Sequence, residues 1–332
     1  MYIPASYPLA VVFCVITMLC WGSWANTQKA AGSSWRFELY YWDYVFGLLI
    51  TALVLALTLG STGGAGRSFA ADLAQADNAN LGSALIGGAV FNLSNILIVA
   101  AINIAGMAVA FPVGVGLALV IGVVVNYIDR PEGDPVFLFI GVGLIVAAMV
   151  LNALAYRKAK GGGAVSTKGL MLSVLAGSMM GFFYKYVANA MFPDFSQPEP
   201  GKLSPYTAVF IFSVGLLLSN FILNPIIMAR PFVGEPVNMR QYFAGSGRDH
   251  LMGLLGGLIW CLGMSFSIIA SDLAGPAISY GLGQGATVVA VLWGIFIWKE
   301  FKGAPPVVNT LLTVMMGAYI AGLGLIVFAR MA

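Results

Sequence analysis

The sequence predicts an all-α polytopic membrane protein with ten transmembrane helices in two inverted five-helix repeats. Three observations predict it. The 332 residues are 60% hydrophobic and only 9% charged, an apolar excess beyond that of soluble domains. Apolar runs long enough to cross a bilayer as helices, about 20 residues each, recur along the whole chain. The two halves also match one another at a fixed offset.

The runs lie roughly at 8–29, 40–60, 81–104, 106–128, 135–156, 169–192, 204–229, 250–272, 274–298 and 307–329. They leave almost nothing for a soluble domain. The opening "MYIPASYPLA" has no Lys or Arg before the first run, whereas a signal peptide begins with positive charge, so the first segment is expected to stay as a helix. Lys and Arg divide unequally between the two sets of connections. One set holds Lys29, Arg36, Arg157, Lys158, Lys160, Lys168, Arg230, Arg240, Arg248, Lys299 and Lys302; the other holds Arg67, Arg130, Lys202 and Arg330. The positive set is expected in the cytoplasm, with both termini outside, in a bacterial-type inner membrane.

The basic, glycine-rich "YRKAKGGGAVSTKG" (156–169) then divides the chain into a first repeat, 1–156, a cytoplasmic linker, 157–168, and a second repeat, 169–332. Shifting the sequence by 169 residues lays the stretch from Gly87 over the stretch from Gly256, with ten of 34 positions identical. The matches include both paired glycines and the A-G-x-A junction, and Phe111 falls on Tyr280. Five spans per half is an odd number, so the halves run in opposite senses across the membrane. Secondary transporters use this arrangement, with the solute site near the midplane between the halves.

The composition also excludes classes. A net charge of +3 gives no footprint for nucleic acid. Cys14, Cys20 and Cys261 all fall inside apolar runs, where they act as small hydrophobes, and His250 is the only histidine. Neither a hydrolytic triad nor a His/Cys metal site is supported, and no enzyme activity or cofactor is expected. "VGVGLALVIG" and "GLGQG" follow no strand and carry no Lys after the glycines, so they read as helix packing.

Lys185 stands inside the apolar "GSMMGFFYKYVANAMF" (177–192). It shares a helix face with Gly177, Ser178, Gly181, Ala188 and Asn189, and small or polar faces turn toward other helices. It reads either as a coupling or gating cation or as an anchor snorkelling to the interface. Asp43 is either a solvated helix start or a second coupling group; Asp272 is a helix-end residue or a gate partner for Lys185. No carboxylate is expected at the midplane. Gly88, Asn92, Asn95, Val99 and Asn103 form a polar stripe on the third run, and carboxamides both donate and accept. Around this stripe the solute site is assigned to Trp21, Trp24, Asn26, Asn92, Asn95, Trp260, Tyr280 and Gln284. Aromatic walls with few polar groups are usual in small-molecule sites, and the glycines beside Gln284 allow a broken helix.

"YYWDYVFGLLITALVLALTLG" (40–60), "GGAVFNLSN" (87–95), "VVVNYI" (123–128), "LNPIIMARPFVGEPV" (223–237) and "VLWGIFIWKEF" (291–301) resemble the drug/metabolite transporter (DMT) superfamily. The nearest branch is the ureide permeases, and the glucose/ribose porters and rhamnose transporters are related. The resemblance implies the DMT fold and import of a ureide such as allantoin, or an oxo-purine or pyrimidine, with a proton as coupling ion. Monosaccharide symport and metabolite or drug export are the alternatives. The plant ureide permeases carry a longer loop between their halves, so no regulatory role of that loop transfers. The expected partners are the small-molecule solute, its coupling ion and the lipid bilayer, with a homodimer left open by the small-residue faces.

Overall fold

The computed structural model describes residues 1–32, 35–106, 110–159 and 166–332. Lys160 and residues 161–165 of the expected linker lie outside the described residues, as does the side chain of Phe111. Ten long helices are present among the described residues: α1 (Tyr7–Ala31), α2 (Phe37–Leu57), α3 (Asn78–Ala105), α4 (Val113–Asp129), α5 (Pro135–Ala159), α6 (Thr167–Ala190), α7 (Pro205–Ala229), α8 (Gly247–Ala274), α9 (Pro276–Ile297) and α10 (Pro306–Phe328). Each falls on one of the predicted runs. Nine are long and apolar enough to cross a membrane, and α4 is a shorter apolar helix that opens with a π-helical turn, Phe111–Val115. The described residues hold no strand, only an isolated bridge between Met191 and Leu203. A multi-pass helical membrane protein is the result, as expected where every backbone polar group must be satisfied within its own segment.

Local sequence sets the helix ends. Asp77, Ser166, Ser204 and Ser246 cap α3, α6, α7 and α8, each accepting a backbone N–H in the first turn, which satisfies an orphan donor. Gly106 and Gly275 follow α3 and α8 at φ 78° and 81°. That left-handed region is open to glycine, and the "AG" junctions seen in the sequence are these two stops.

Packing pairs helices from the first part of the chain with helices from the second. α3 lies against α6 and α7, while α8 lies against α1 and α2; α5 runs along α10. The crossings are backbone on backbone. A Cβ on Gly88 would sit 2.0 Å from the Phe212 carbonyl oxygen, and one on Gly257 would sit 1.9 Å from that of Tyr44. Likewise Gly215 meets Leu85 at 2.1 Å and Gly47 meets Leu254 at 2.2 Å. Gly88 and Gly257 are 169 residues apart, as are Leu85 and Leu254. Without a hydrophobic drive between helices in lipid, close approach of this kind holds them together. Apolar side chains such as Leu19, Ile50, Ile222 and Ile320 point outward, toward lipid, while Tyr40, Tyr41, Tyr44, Tyr184 and Phe212 fill the centre.

The bundle has two ends. At the terminal end, the Met1 amine donates to the Ala65 carbonyl, Tyr7 donates to Val327 over 2.7 Å, and Arg330 donates to Leu273 over 2.8 Å. At the other, linker end lie Ala31, Ala159, Thr167 and the connection between α7 and α8. Both termini therefore share one end.

Candidate solute cavity

A cavity of about 340 Å³ opens inside the bundle, lined from α1, α3, α5, α6, α8 and α9. Its inner wall is aromatic. Trp21 and Trp260 stack with centroids 5.7 Å apart at 16°, Phe91 sits 4.3 Å from Trp260, and Phe183 closes on Phe91 at 5.2 Å. Such rings present flat apolar faces whose edges are fixed by their neighbours. The Trp21 indole donates to the Trp260 carbonyl over 3.3 Å, which sets the orientation of the pair.

Polar groups ring this wall. Asn95 donates to the Tyr41 hydroxyl over 3.2 Å. Asn26 donates to the Ser23 carbonyl over 3.0 Å and accepts from the Trp298 indole over 2.6 Å. Gln284 sits where α9 breaks, between the helical pieces Pro276–Gly283 and Ala286–Leu292. The glycines on either side allow close packing, since a Cβ on Gly283 would meet the Trp21 ring at 2.8 Å and one on Gly285 the Met18 sulfur at 2.6 Å; Gln284 itself lines the cavity while only 7% exposed.

Six of the eight residues assigned from sequence thus line one cavity: Trp21, Trp24, Asn26, Asn95, Trp260 and Gln284. The other two stand elsewhere. Asn92 faces α7, donating to Ser219 over 2.9 Å, because the Gly88 crossing presses α7 onto α3 at that depth. Tyr280 lies between α4 and α6, its hydroxyl 3.3 Å from the Ala118 and Met180 carbonyls, and its ring fills the space that a Cβ on Gly122 would take. Of the third-run stripe, Asn95, Val99 and Asn103 face the cavity.

The cavity adjoins a vestibule of about 540 Å³, and Ala25, Gln28, Lys29, Val99 and Asn103 line both. Trp35, Arg36, Phe37 and Phe232 form the vestibule's outer part, which places its mouth at the linker end. Toward the terminal end the path is shut. Tyr184 and Tyr280 pack 5.2 Å apart behind Phe183, and Tyr184 donates to the Ser267 carbonyl over 3.2 Å. Lys185 then pairs with Asp129 at 2.9 Å, and Asn189 donates to the same carboxylate over 3.0 Å. Lys185 is therefore tied to α4 and does not line the cavity.

The two aspartates have separate settings. Asp43 is 4% exposed, not a solvated helix start: it accepts from Tyr242 over 2.7 Å and lies 2.9 Å from His250 Nδ1. Burial, then the neighbouring Asp43 carboxylate, pushes the Tyr242 phenol above its ordinary range, so it remains a donor. Asp272 accepts the Phe195 N–H over 3.1 Å at the terminal end, and its hydrogen bond goes to that backbone rather than to Lys185. Sequence reasoning missed Lys29, Asn152, Tyr156 and Glu300 among the lining residues. Glu300 pairs with Lys29 at 2.6 Å and accepts from Tyr156 over 2.6 Å. The described residues contain no group of three His, Cys, Asp or Glu able to hold a metal ion.

A family model described as Sugar transport protein matches residues 12–327. Ureide permease 1 of Arabidopsis thaliana is 23% identical over 98% of this chain and 98% of its own length, and Ureide permease 4 of the same plant is 22% identical over the same shares. The Glucose uptake protein GlcU of Bacillus subtilis is 24% identical over 66% of this chain and 69% of its own. A crystal structure of another protein superposes with a TM-score of 0.60 over 98% of this chain and 99% of that one at 16% identity, a likeness in fold.

Proposed function

The chain belongs to the Sugar transport protein family, and from that premise we propose that it imports a small, neutral, polar solute by alternating access, driven by an ion gradient. The working parts are two inverted five-helix repeats, 1–156 and 169–332, joined by the linker 157–168. The linker end faces the cytoplasm of a bacterial-type inner membrane and the termini face outward. The state described above is then inward-open.

One observation carries this reading: a cavity inside the bundle, walled by aromatic rings and amides, beside a vestibule at the linker end. Stacked Trp21 and Trp260 suit a flat ring, and Trp24, Asn26, Asn95 and Gln284 supply hydrogen-bonding edges. A ureide, oxo-purine or pyrimidine fits that description, and the ureide permeases match along nearly the whole chain. A monosaccharide is the second reading, favoured by the glucose uptake relative and by the same mixture of ring faces and amides. Lys185, Asp43 and Asp272 are the coupling or gating groups, with the proton as coupling ion. Lys185 acts through Asp129 on the outer side of the aromatic closure.

The test is uptake into proteoliposomes of allantoin, uracil, glucose, ribose and rhamnose, with and without an inward proton gradient. Gradient-dependent uptake of a heterocycle supports the first reading and of a sugar the second. Uptake that ignores the gradient removes proton coupling, and no uptake of any of the five overturns the proposal.

A further inference from the structure

α5 was assigned no role from sequence, and along most of its length it is an apolar helix packed on α10. Asn152 interrupts it. The side chain is 6% exposed, lines the central cavity, and its carboxamide oxygen is buried with no hydrogen-bond partner. Tyr156, one turn further on, lines the same cavity and donates to Glu300 over 2.6 Å. α5 thus presents two polar side chains at i and i+4 to the cavity.

An asparagine that locks membrane helices together does so by bonding across them. Asn92 does this with Ser219, Asn95 with Tyr41 and Asn224 with the Glu38 carbonyl. Asn92 and Asn224 do so through their nitrogens, their oxygens being unpaired as well; Asn152 lines the cavity and makes no such bond across helices. An acceptor buried without a donor keeps its whole desolvation penalty, and polar groups of this kind inside a membrane are retained for function.

Resting on the transport reading above, we propose that Asn152 is a solute-binding residue. Its NH2 donates to a carbonyl or hydroxyl oxygen of the solute, and a turn of the carboxamide about its last torsion brings the buried oxygen round to accept from an adjacent N–H or O–H. The ligand class is a neutral molecule with a donor and an acceptor side by side, as on a cyclic amide edge or a vicinal diol. Asn152 stands on the α5 side of the cavity and Gln284 on the α9 side, so the solute is held by amides from two helices against the tryptophan wall.

The test replaces Asn152 with leucine, which keeps the number and branching of heavy atoms and removes both polar groups, and with serine, which keeps a smaller donor and acceptor. Thermal unfolding is measured without solute, and uptake is measured with the five solutes named above. Asn152→Leu is expected to unfold at a higher temperature than the wild type while its KM for the transported solute rises about tenfold or more; Asn152→Ser falls between them. A lower unfolding temperature for Asn152→Leu overturns the inference, because it reveals a structural partner. An unchanged KM overturns it equally. If the wild type carries none of the five, the transport reading fails on that result, and the unfolding arm still judges Asn152 by its sign.

Discussion

Replacing Gly257 with alanine tests the close helix crossings on which the fold depends. The new Cβ would lie 1.9 Å from the Tyr44 carbonyl oxygen and 2.6 Å from the Leu48 nitrogen. Both obstructing atoms are backbone, so no rotamer change relieves the clash, and α8 must part from α2 by about 1 Å or more, which forfeits a quarter to a half of each dispersion contact across the seam. Overpacking of this kind costs about 1–3 kcal/mol and occasionally more; with backbone on both sides the expected loss is about 3 kcal/mol. Gly88→Ala meets the Phe212 carbonyl at 2.0 Å and is expected to lose the same amount. Gly317 on α10 has nothing within 4 Å of its would-be Cβ, so Gly317→Ala should be neutral or stabilise by up to about 1 kcal/mol through helix propensity. Thermal unfolding in detergent micelles reads all three. Equal midpoints for Gly257→Ala and Gly317→Ala would refute the reasoning, as would a large difference between the Gly88 and Gly257 variants.

Four further outcomes are expected. Asp43→Ala strands the donors of Tyr242 and His250 and should lower stability by about 2 kcal/mol. Because the Tyr242 phenol is raised in the fold, its contribution is intact below the ordinary phenol range and lost above it. Unfolding midpoints of the wild type should therefore fall more steeply above about pH 10 than those of Tyr242→Phe. Asn220 is fully buried with neither amide atom bonded, and it is absent from the cavity lining; Asn220→Leu should raise the unfolding midpoint and leave uptake unchanged. The Lys185–Asp129 pair is partly exposed, with side chains 33% and 25% accessible, so Lys185→Met should cost under about 1 kcal/mol of stability while reducing uptake. The exchanged pair Lys185→Asp with Asp129→Lys should recover part of that uptake; normal uptake in Lys185→Met would leave the lysine an anchor.

The ten helices were legible because an apolar run of membrane length has few alternatives, and the stops at Gly106 and Gly275 carried their own signal. Part of the cavity wall was legible too, since Trp21, Trp24, Asn95 and Gln284 combine aromatic or amide chemistry with small-residue surroundings. What periodicity supplies is a face, not the neighbour opposite it. Asn92 and Asn95 share a stripe, yet the Gly88 crossing turns one to α7 and leaves the other on the cavity. Lys185 was placed on an inward face, but its partner Asp129 is 56 residues away and only the packing of α6 on α4 brings them together. Asn152 carried no signal at all: a single amide in an apolar helix reads as noise until it is found unbonded at the cavity wall.

The most direct test of the central claim, that this cavity is where the solute binds, compares the uptake KM of Gln284→Ala with that of Tyr280→Phe. Gln284 lines the cavity and Tyr280 packs beyond it. A rise of about tenfold for Gln284→Ala, the equivalent of one lost hydrogen bond of about 1.4 kcal/mol, with Tyr280→Phe within about twofold of the wild type, is the predicted result. A KM unmoved by Gln284→Ala and raised by Tyr280→Phe would place the solute elsewhere and contradict the account.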